Sequence, residues 1–325
     1  MRLRLGHGRD LAEDSVQRSA HRGHCLGGPG RAPARGRVSA SPHERLRSRD
    51  GTELAWHHWP LHGPRLGSVL LVHGVGEHLQ RYPHVAQALL EAGFEVGGID
   101  LRGHGLSAGR RGHVLRWQDY VDDVHAAAER LPDPLFLTAH SMGALVALDF
   151  LRTDQRVRAV ALSGPLLGVA VEAPRWKTSL AGVLSRLAPG LQLANEIDPA
   201  EVCGNLDVQR RYQEDPLNFN RVTPRWYTEM RAALLRVRAH ATSYRIPLQV
   251  HAGAQDRIVS IESMRQFVDQ WGGEHELHLW PEGRHEVFNE VFGPEVLRSV
   301  TRWLRTQAGA GDAAGGQGEQ ASSAS

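Results

Sequence analysis

The chain has 325 residues, a length that allows a sizeable buried core in one large α/β domain with an insertion, which we favour, or in two small domains. Its 38 basic and 36 acidic side chains leave a formal net charge of +2, which gives no reason to expect a nucleic-acid partner. The two cysteines, Cys25 and Cys203, predict neither a disulfide framework nor a metal site, and the chain lacks both a secretory signal and an apolar run long enough to span a membrane. We expect a cytoplasmic protein.

Both ends of the chain are of low complexity. Residues 1–44 are rich in Arg, Gly, His, Ser and Pro without periodicity, and residues 307–325 are largely Ala, Gly, Gln and Ser. Such segments bury too little apolar surface to offset the entropy of ordering, so we predict two disordered tails. For the basic N-terminal tail, a solvated segment or an upstream, non-natural start is favoured over a contact with nucleic acid or an anionic membrane.

Between the tails, strand and helix patterns alternate in the order typical of a mostly parallel sheet with helices on both faces. The first two strands form a hairpin that turns at Asp50-Gly51. The predicted strands are Arg45–Arg49, Thr52–Trp59, Ser68–His73, Glu95–Asp100, Leu135–Ala139, Val157–Ser163, Leu248–Ala252 and His275–Leu279. The predicted helices are Tyr82–Ala92, Tyr120–Arg130, Met142–Leu151, Ser260–Trp271 and Pro294–Arg305.

The alternation is interrupted between residues 166 and 240, where the pattern is helical. The sequence therefore predicts a core formed by residues 45–165 and 241–306, with residues 166–240 inserted as a helical cap. Such an insertion would lie over the carboxyl edge of the strands, where open α/β sheets bind their ligands.

A serine follows the strand that ends at Ala139, and small residues surround it. The sequence Ala139-His140-Ser141-Met142-Gly143 predicts a strand, a sharp turn and a helix, which is the setting of a nucleophilic serine. The turn strains the serine and brings strand and helix backbones together, so its flanks must be small. The usual pattern has glycine at both flanks, and Ala139 is a mild departure from it.

Two further strand ends carry the groups that a serine nucleophile needs. A base must take the hydroxyl proton, and an acid must orient that base. Asp256 follows the strand Leu248–Ala252, and His285 follows the strand His275–Leu279, in the chain order Ser, Asp, His. We predict that Ser141, Asp256 and His285 form a catalytic triad.

The developing oxyanion needs two backbone donors. We assign them to the N–H groups of Met142 and of Val75, which lies in a glycine-containing loop after an early strand. Gly74 permits close backbone approach there, and we predict that Gly74 and His140 border the substrate, although the His140 side chain is interpreted as structural.

These motifs together resemble the monoacylglycerol lipase and lysophospholipase branch of the α/β-hydrolases over about residues 45–305. The resemblance rests on His73-Gly74-Val75-Gly76-Glu77-His78, Asp100-Leu101-Arg102-Gly103-His104-Gly105-Leu106-Ser107, Gly109-Arg110-Arg111-Gly112-His113 and the segment around Ser141. It implies an α/β-hydrolase fold and a serine hydrolase that acts on carboxylic esters without a cofactor or metal. It also implies the same triad and the same oxyanion donors.

One helical pattern in the cap is amphipathic. Its apolar side chains are Trp176, Leu180, Val183, Leu184 and Leu187. Three interpretations are open: the face lines an acyl tunnel, rests on a membrane surface, or packs against the core. We assign substrate binding to Trp176, Leu180 and Leu184.

The same triad supports other activities, because fold and triad do not set the substrate. Lysophospholipase and general carboxylesterase activities are the main alternatives, and cofactor-free haloperoxidase chemistry is a more remote one. A serine aminopeptidase would need acidic groups for the substrate amine, for which Glu196, Asp198 and Glu201 are candidates. A binding protein without turnover is disfavoured because all three triad residues are present.

Overall fold

An eight-stranded sheet forms the centre of the protein. We describe a computed structural model at residues 44–171, 174–195 and 198–309. The strands are β1 (Glu44–Arg47), β2 (Glu53–Trp59), β3 (Gly67–Val72), β4 (Phe94–Ile99), β5 (Leu135–His140), β6 (Val157–Ser163), β9 (Leu248–Gly253) and β10 (His275–Trp280), with two short strands, β7 (Leu193–Ala194) and β8 (Arg221–Val222), outside this sheet. Within this sheet the strand order is β1-β2-β4-β3-β5-β6-β9-β10; β2 pairs antiparallel with β1 and β4, and the other neighbouring strands pair in parallel. The predicted mostly parallel sheet is confirmed.

Helices cover the sheet and fill the insertion. They are α1 (Pro83–Glu91), α2 (Gln118–Ala128), α3 (Ser141–Phe150), α4 (Arg175–Leu187), α5 (Pro199–Val202), α6 (Leu206–Glu214), α7 (Pro224–Ala239), α8 (Ile261–Asp269) and α9 (Gly293–Gln307). Helices α4–α7 come between β6 and β9 in the chain, in the stretch where the sequence predicts a helical insertion. Helices α2, α3, α7 and α8 bury their apolar faces in one hydrophobic core, and helices α1 and α9 bury theirs in a second.

The two central strands explain the position of the site. All residues of β3 and β5 are buried, as expected for parallel strands covered on both faces. Their register pairs Val72 with Ala139, so the two strands end side by side. The loops that follow them therefore leave the same edge of the sheet together.

The predicted elements differ from the observed ones only at their ends. Strand β1 begins at Glu44 and α9 ends at Gln307, so each overlaps a predicted tail by one residue. Helix α8 begins at Ile261 because Ser260 is its cap, with Oγ accepting the Ser263 N–H at 3.1 Å. The remainder of the two predicted tails, residues 1–43 and 310–325, lies outside the described residues. In the described part of the chain, no helix combines the length and apolarity that crossing a membrane requires.

Candidate active site

The backbone at Ser141 has the strained geometry that its neighbours predict. Ser141 is the first residue of α3, and its φ of +51° makes it the single non-glycine residue with positive φ in the described ranges. A Cβ on Gly143 would lie 2.2 Å from the His73 carbonyl oxygen, so no side chain fits there. Ala139 is buried and pairs with Val72 and Leu162, which shows that the strand accepts a methyl group at this flank.

Ser141, His285 and Asp256 form one chain of hydrogen bonds. The distance from Ser141 Oγ to His285 Nε2 is 2.8 Å, and that from His285 Nδ1 to Asp256 Oδ2 is 2.7 Å. Since a carboxylate only accepts, Nδ1 carries the proton and Nε2 is free to accept from the serine hydroxyl. The second Asp256 oxygen accepts the N–H groups of Ile258 and Val259 at 2.8 and 3.0 Å, which fixes the carboxylate.

The charges around these hydrogen bonds make the His285 imidazole more basic. Burial alone would lower the pKa of His285, but the charge and hydrogen bond of Asp256 raise it above its usual value. For Asp256, burial acts to raise the pKa, and the interactions with His285 and the two N–H groups outweigh it and lower the pKa. Asp256 is therefore ionised at neutral pH, and His285 is a stronger base than an isolated buried imidazole.

The loop after β3 carries the Val75 N–H. The Leu101 N–H donates to His73 Nε2 at 3.0 Å, which makes His73 Nδ1 the donor to the Gly74 carbonyl oxygen at 2.7 Å. Because the N–H and C=O of a trans peptide point in opposite directions, the Val75 N–H faces away from His73. The Met142 N–H lies in the first turn of α3, where helix N–H groups have no partner within the helix.

The other predicted site residues divide into two groups. His140 is buried, and its ring lies 4.7 Å from that of His285 between ring centroids. Gly74 lies so close that a Cβ there would be 3.2 Å from the Ser141 Cβ. In contrast, Trp176 and Leu180 on α4 are 64% and 48% exposed, whereas Leu184 is half-buried, so packing against the core does not account for most of this face.

The insertion touches the loop after β3 directly. The Phe219 N–H donates to the Gly76 carbonyl oxygen at 3.1 Å, and His78 Nε2 lies 3.0 Å from the Asp215 carboxylate. The segment between α6 and β8 is therefore bonded to the loop that bears the Val75 N–H.

Sequence reasoning missed a buried ionic group beside the site. Arg81 is bonded to both Glu77 and Glu286, and Glu286 follows His285 directly in the chain. The i,i+4 spacing of Glu77 and Arg81 was the available signal for half of this arrangement. Glu77, His140 and Glu286 are the one set of described residues with spacing suited to a metal ion, but the Arg81 guanidinium already bonds both carboxylates.

Comparisons with known proteins agree with this architecture. A family model described as "Serine aminopeptidase, S33" matches residues 63–291. An abhydrolase domain-containing protein of Dictyostelium discoideum is 28% identical over 269 residues, which are 80% of this chain and 28% of that much longer protein. The chain thus spans about a quarter of the length of that relative.

Two monoacylglycerol lipases match over nearly their whole length. The enzyme of Mycolicibacterium smegmatis is 33% identical over 263 residues, which cover 78% of this chain and 93% of that protein. The crystal structure of the monoacylglycerol lipase of Paleococcus ferrophilus superposes with a TM-score of 0.73 at 31% identity, covering 78% of this chain and 99% of that one. The chain belongs to the α/β-hydrolase family, in the branch that contains the monoacylglycerol lipases.

Proposed function

We propose that the protein is a serine hydrolase that cleaves the ester bond of monoacylglycerol-like lipids through an acyl-enzyme intermediate. The observation that carries this proposal is the hydrogen-bonded chain Ser141–His285–Asp256 at the carboxyl edge of the sheet. The two monoacylglycerol lipases similar to this chain support the substrate class.

In the proposed mechanism, His285 Nε2 takes the proton of the Ser141 hydroxyl as Oγ attacks the ester carbonyl carbon. The carbonyl oxygen becomes an oxyanion, to which the N–H groups of Val75 and Met142 donate. The tetrahedral intermediate collapses when His285 gives its proton to the glycerol oxygen, which leaves. Water then loses a proton to the same nitrogen as it attacks the carbonyl carbon of the acyl-enzyme. The second tetrahedral intermediate collapses as His285 returns that proton to Ser141 Oγ, which releases the fatty acid, and Asp256 stabilises each imidazolium.

Lysophospholipase and general carboxylesterase activities use the same steps and remain the alternatives. An aminopeptidase would need free carboxylates for the substrate amine. Asp198 instead caps α5, where its carboxylate accepts the Ala200 N–H at 2.8 Å, and Glu196 lies outside the described residues. Glu201, the third candidate, lies in the first turn of α5, where its charge favours the N-terminal end of the helix. We therefore rank peptidase activity below ester hydrolysis.

The exposed face of α4 suggests where a cytoplasmic enzyme meets its substrate. Val183 and Leu187 are 51% and 80% exposed beside Trp176 and Leu180, while Ser185 on the opposite side is buried and bonded to Thr228 of α7 at 2.9 Å. A helix with one apolar face in water and basic residues such as Lys177 and Arg186 nearby suits an anionic lipid surface. We propose transient contact with the membrane through this face, and Trp176, Leu180 and Leu184 as residues that guide the acyl chain.

The test is hydrolysis of a monoacylglycerol series of increasing acyl length beside matching lysophospholipids and aminoacyl arylamides, with Ser141→Ala as control. We expect the glycerides to be preferred and the variant to lose turnover by several orders of magnitude. Near-normal activity of Ser141→Ala would exclude the assigned nucleophile, and activity confined to short soluble esters would exclude the lipase assignment.

The membrane contact has a separate test by sedimentation with anionic vesicles. Leu187→Ser should reduce vesicle binding while leaving hydrolysis of a soluble ester unchanged. Leu235→Ser is the matched control, because Leu235 is 68% exposed on α7. Equal binding by the two variants would contradict the proposed contact.

A further inference from the structure

A buried ion bridge joins the two loops beside the candidate active site. Arg81 Nη1 donates to Glu77 Oε2 at 2.5 Å, and Nη1 and Nη2 donate to the two oxygens of Glu286, each at 2.7 Å. The three side chains are 10%, 3% and 5% exposed. One guanidinium thus holds two carboxylates that come from opposite ends of the chain.

Each carboxylate is in turn bonded to its own loop. Glu77 Oε1 accepts the Gly74 N–H at 2.6 Å and the Tyr82 hydroxyl at 2.8 Å. Glu77 therefore holds the peptide next to the candidate oxyanion donor, the Val75 N–H. Glu286 Oε2 accepts from Asn289 at 2.7 Å, and Glu286 is the neighbour of the candidate base, His285.

For the stability of the fold alone, a hydrophobic cluster could take the place of this ion bridge. Buried ion pairs often stabilise a protein no more than apolar residues of the same volume, since desolvation offsets their attraction. What a bidentate guanidinium adds is a fixed geometry, because its planar donors allow few arrangements of a carboxylate. The loops that it fixes here are the two that must be aligned for acyl transfer.

We infer that Arg81 is a positioning residue, which through Glu77 and Glu286 sets the loop bearing the Val75 N–H at a fixed distance from the loop bearing His285. The inference rests on the proposed function, because both loops matter only if Ser141 is acylated. The ring of Tyr212, at the end of α6, lies 4.8 Å from the guanidinium carbon and covers the bridge from the side of the insertion. The helical insertion therefore shields this bridge from water.

The net charge of the ion bridge affects the pKa of His285, which a purely packing role would not do. Burial would raise the pKa of Glu77, but the charge of Arg81 and the hydrogen bond from Tyr82 act against burial, and the pKa is lowered to about 2, so Glu77 is ionised. Two carboxylates against one guanidinium leave one excess negative charge near His285. Asp256, Glu286, Glu77 and the neutral His140 are the titratable groups acting on that ring, and the first three raise its pKa.

The first experiment compares Arg81→Lys with Arg102→Lys, using a soluble ester and counting active sites with a fluorophosphonate. Arg102 is a matched control: it is also 10% exposed and bonds two carboxylates, Asp50 and Asp123, which take no part in the site. Lysine keeps the positive charge but lacks the paired, planar donors with which arginine binds a carboxylate. We expect Arg81→Lys to lower kcat about 10- to 100-fold with KM changed less than threefold, since about 1 Å of misplacement can have that effect.

Arg102→Lys should leave kcat per active site within twofold. Equal kcat values for Arg81→Lys and the wild type would overturn the inference, and so would equal losses in both variants. The proposed function is judged separately: wild-type turnover that persists in Ser141→Ala would refute it, whatever the arginine variants do.

The second experiment follows the acid limb of kcat/KM against pH. Glu286→Gln removes a negative charge at nearly constant volume and should move the limb to lower pH, by about 0.5–1 unit. Arg81→Met removes a positive charge and should move it to higher pH. Shifts of the acid limb in opposite directions for the two variants support the inference. An acid limb at the wild-type pH in Glu286→Gln overturns it, even if the Arg81 variants fail to fold.

Discussion

Replacing Gly143 by alanine would place a methyl group in space that the backbone of β3 and its following loop already occupy. The added Cβ would lie 2.2 Å from the His73 carbonyl oxygen and 2.6 Å from that of Val72. Carbon and oxygen atoms cannot approach so closely, so α3 must move away from β3 by about 1 Å. Both clashing atoms are backbone, and no rotation of a side chain can relieve the contact.

The displacement acts on the geometry of the candidate triad because Ser141 is the first residue of α3. Moving it by about 1 Å would lengthen the 2.8 Å bond from Oγ to His285 Nε2, for which a loss of about 10²-fold in kcat is expected. Overpacking should also cost about 1–3 kcal/mol of stability, partly offset by up to about 1 kcal/mol from the better helix propensity of alanine.

The assay measures kcat on a soluble ester and the thermal midpoint of unfolding, with Gly182→Ala as the control. Gly182 also lies within a helix, but a Cβ there meets no atom within 4 Å. That variant should keep full activity and gain about 0.5–1 kcal/mol. If Gly143→Ala retained wild-type kcat and stability, the close approach of α3 to β3 would be refuted as the reason for glycine at this position.

Two predictions concern protons. Asp256→Asn should lower kcat by roughly 10³–10⁴-fold and move the acid limb of kcat/KM to lower pH, since the Asp256 carboxylate raises the pKa of His285; an unmoved limb would contradict that cause. Burial lowers the pKa of His104 to about 3 from 6.5, so the unfolded chain binds a proton that the folded chain excludes. The contribution of His104 to the free energy of unfolding is therefore fully present above pH 6.5. It falls as the pH is lowered toward 3, by up to about 1.4 kcal/mol per pH unit. His104→Phe should therefore make the urea concentration at the midpoint of unfolding depend less on pH between 6.5 and 4.5. A pH dependence as steep as that of the wild type would refute this.

The candidate triad could be predicted because a parallel sheet orders its loops. Ser141, Asp256 and His285 each follow a strand, and the carboxyl ends of parallel strands share one edge. Local sequence therefore sufficed to bring together residues as much as 144 positions apart. Their bond lengths and tautomer depended on the packed loops.

The ion bridge shows where such reasoning stops. Arg81 and Glu286 are 205 positions apart, and neither lies at a position where chemistry is expected. Glu77 and Arg81 on their own resemble an ordinary i,i+4 pair on a surface helix. Only the meeting of two loops in three dimensions decides that these charges are buried and shared.

The sequence by itself determined the order of strands and helices, the strained turn at Ser141 and the identity of the triad candidates, because each depends on local periodicity or on small residues at short spacing. The tertiary structure decided that the apolar face of α4 is exposed rather than packed and that Arg81 joins the two loops. An amphipathic pattern states which side of a helix is apolar, but what that side faces depends on contacts between residues distant in the chain.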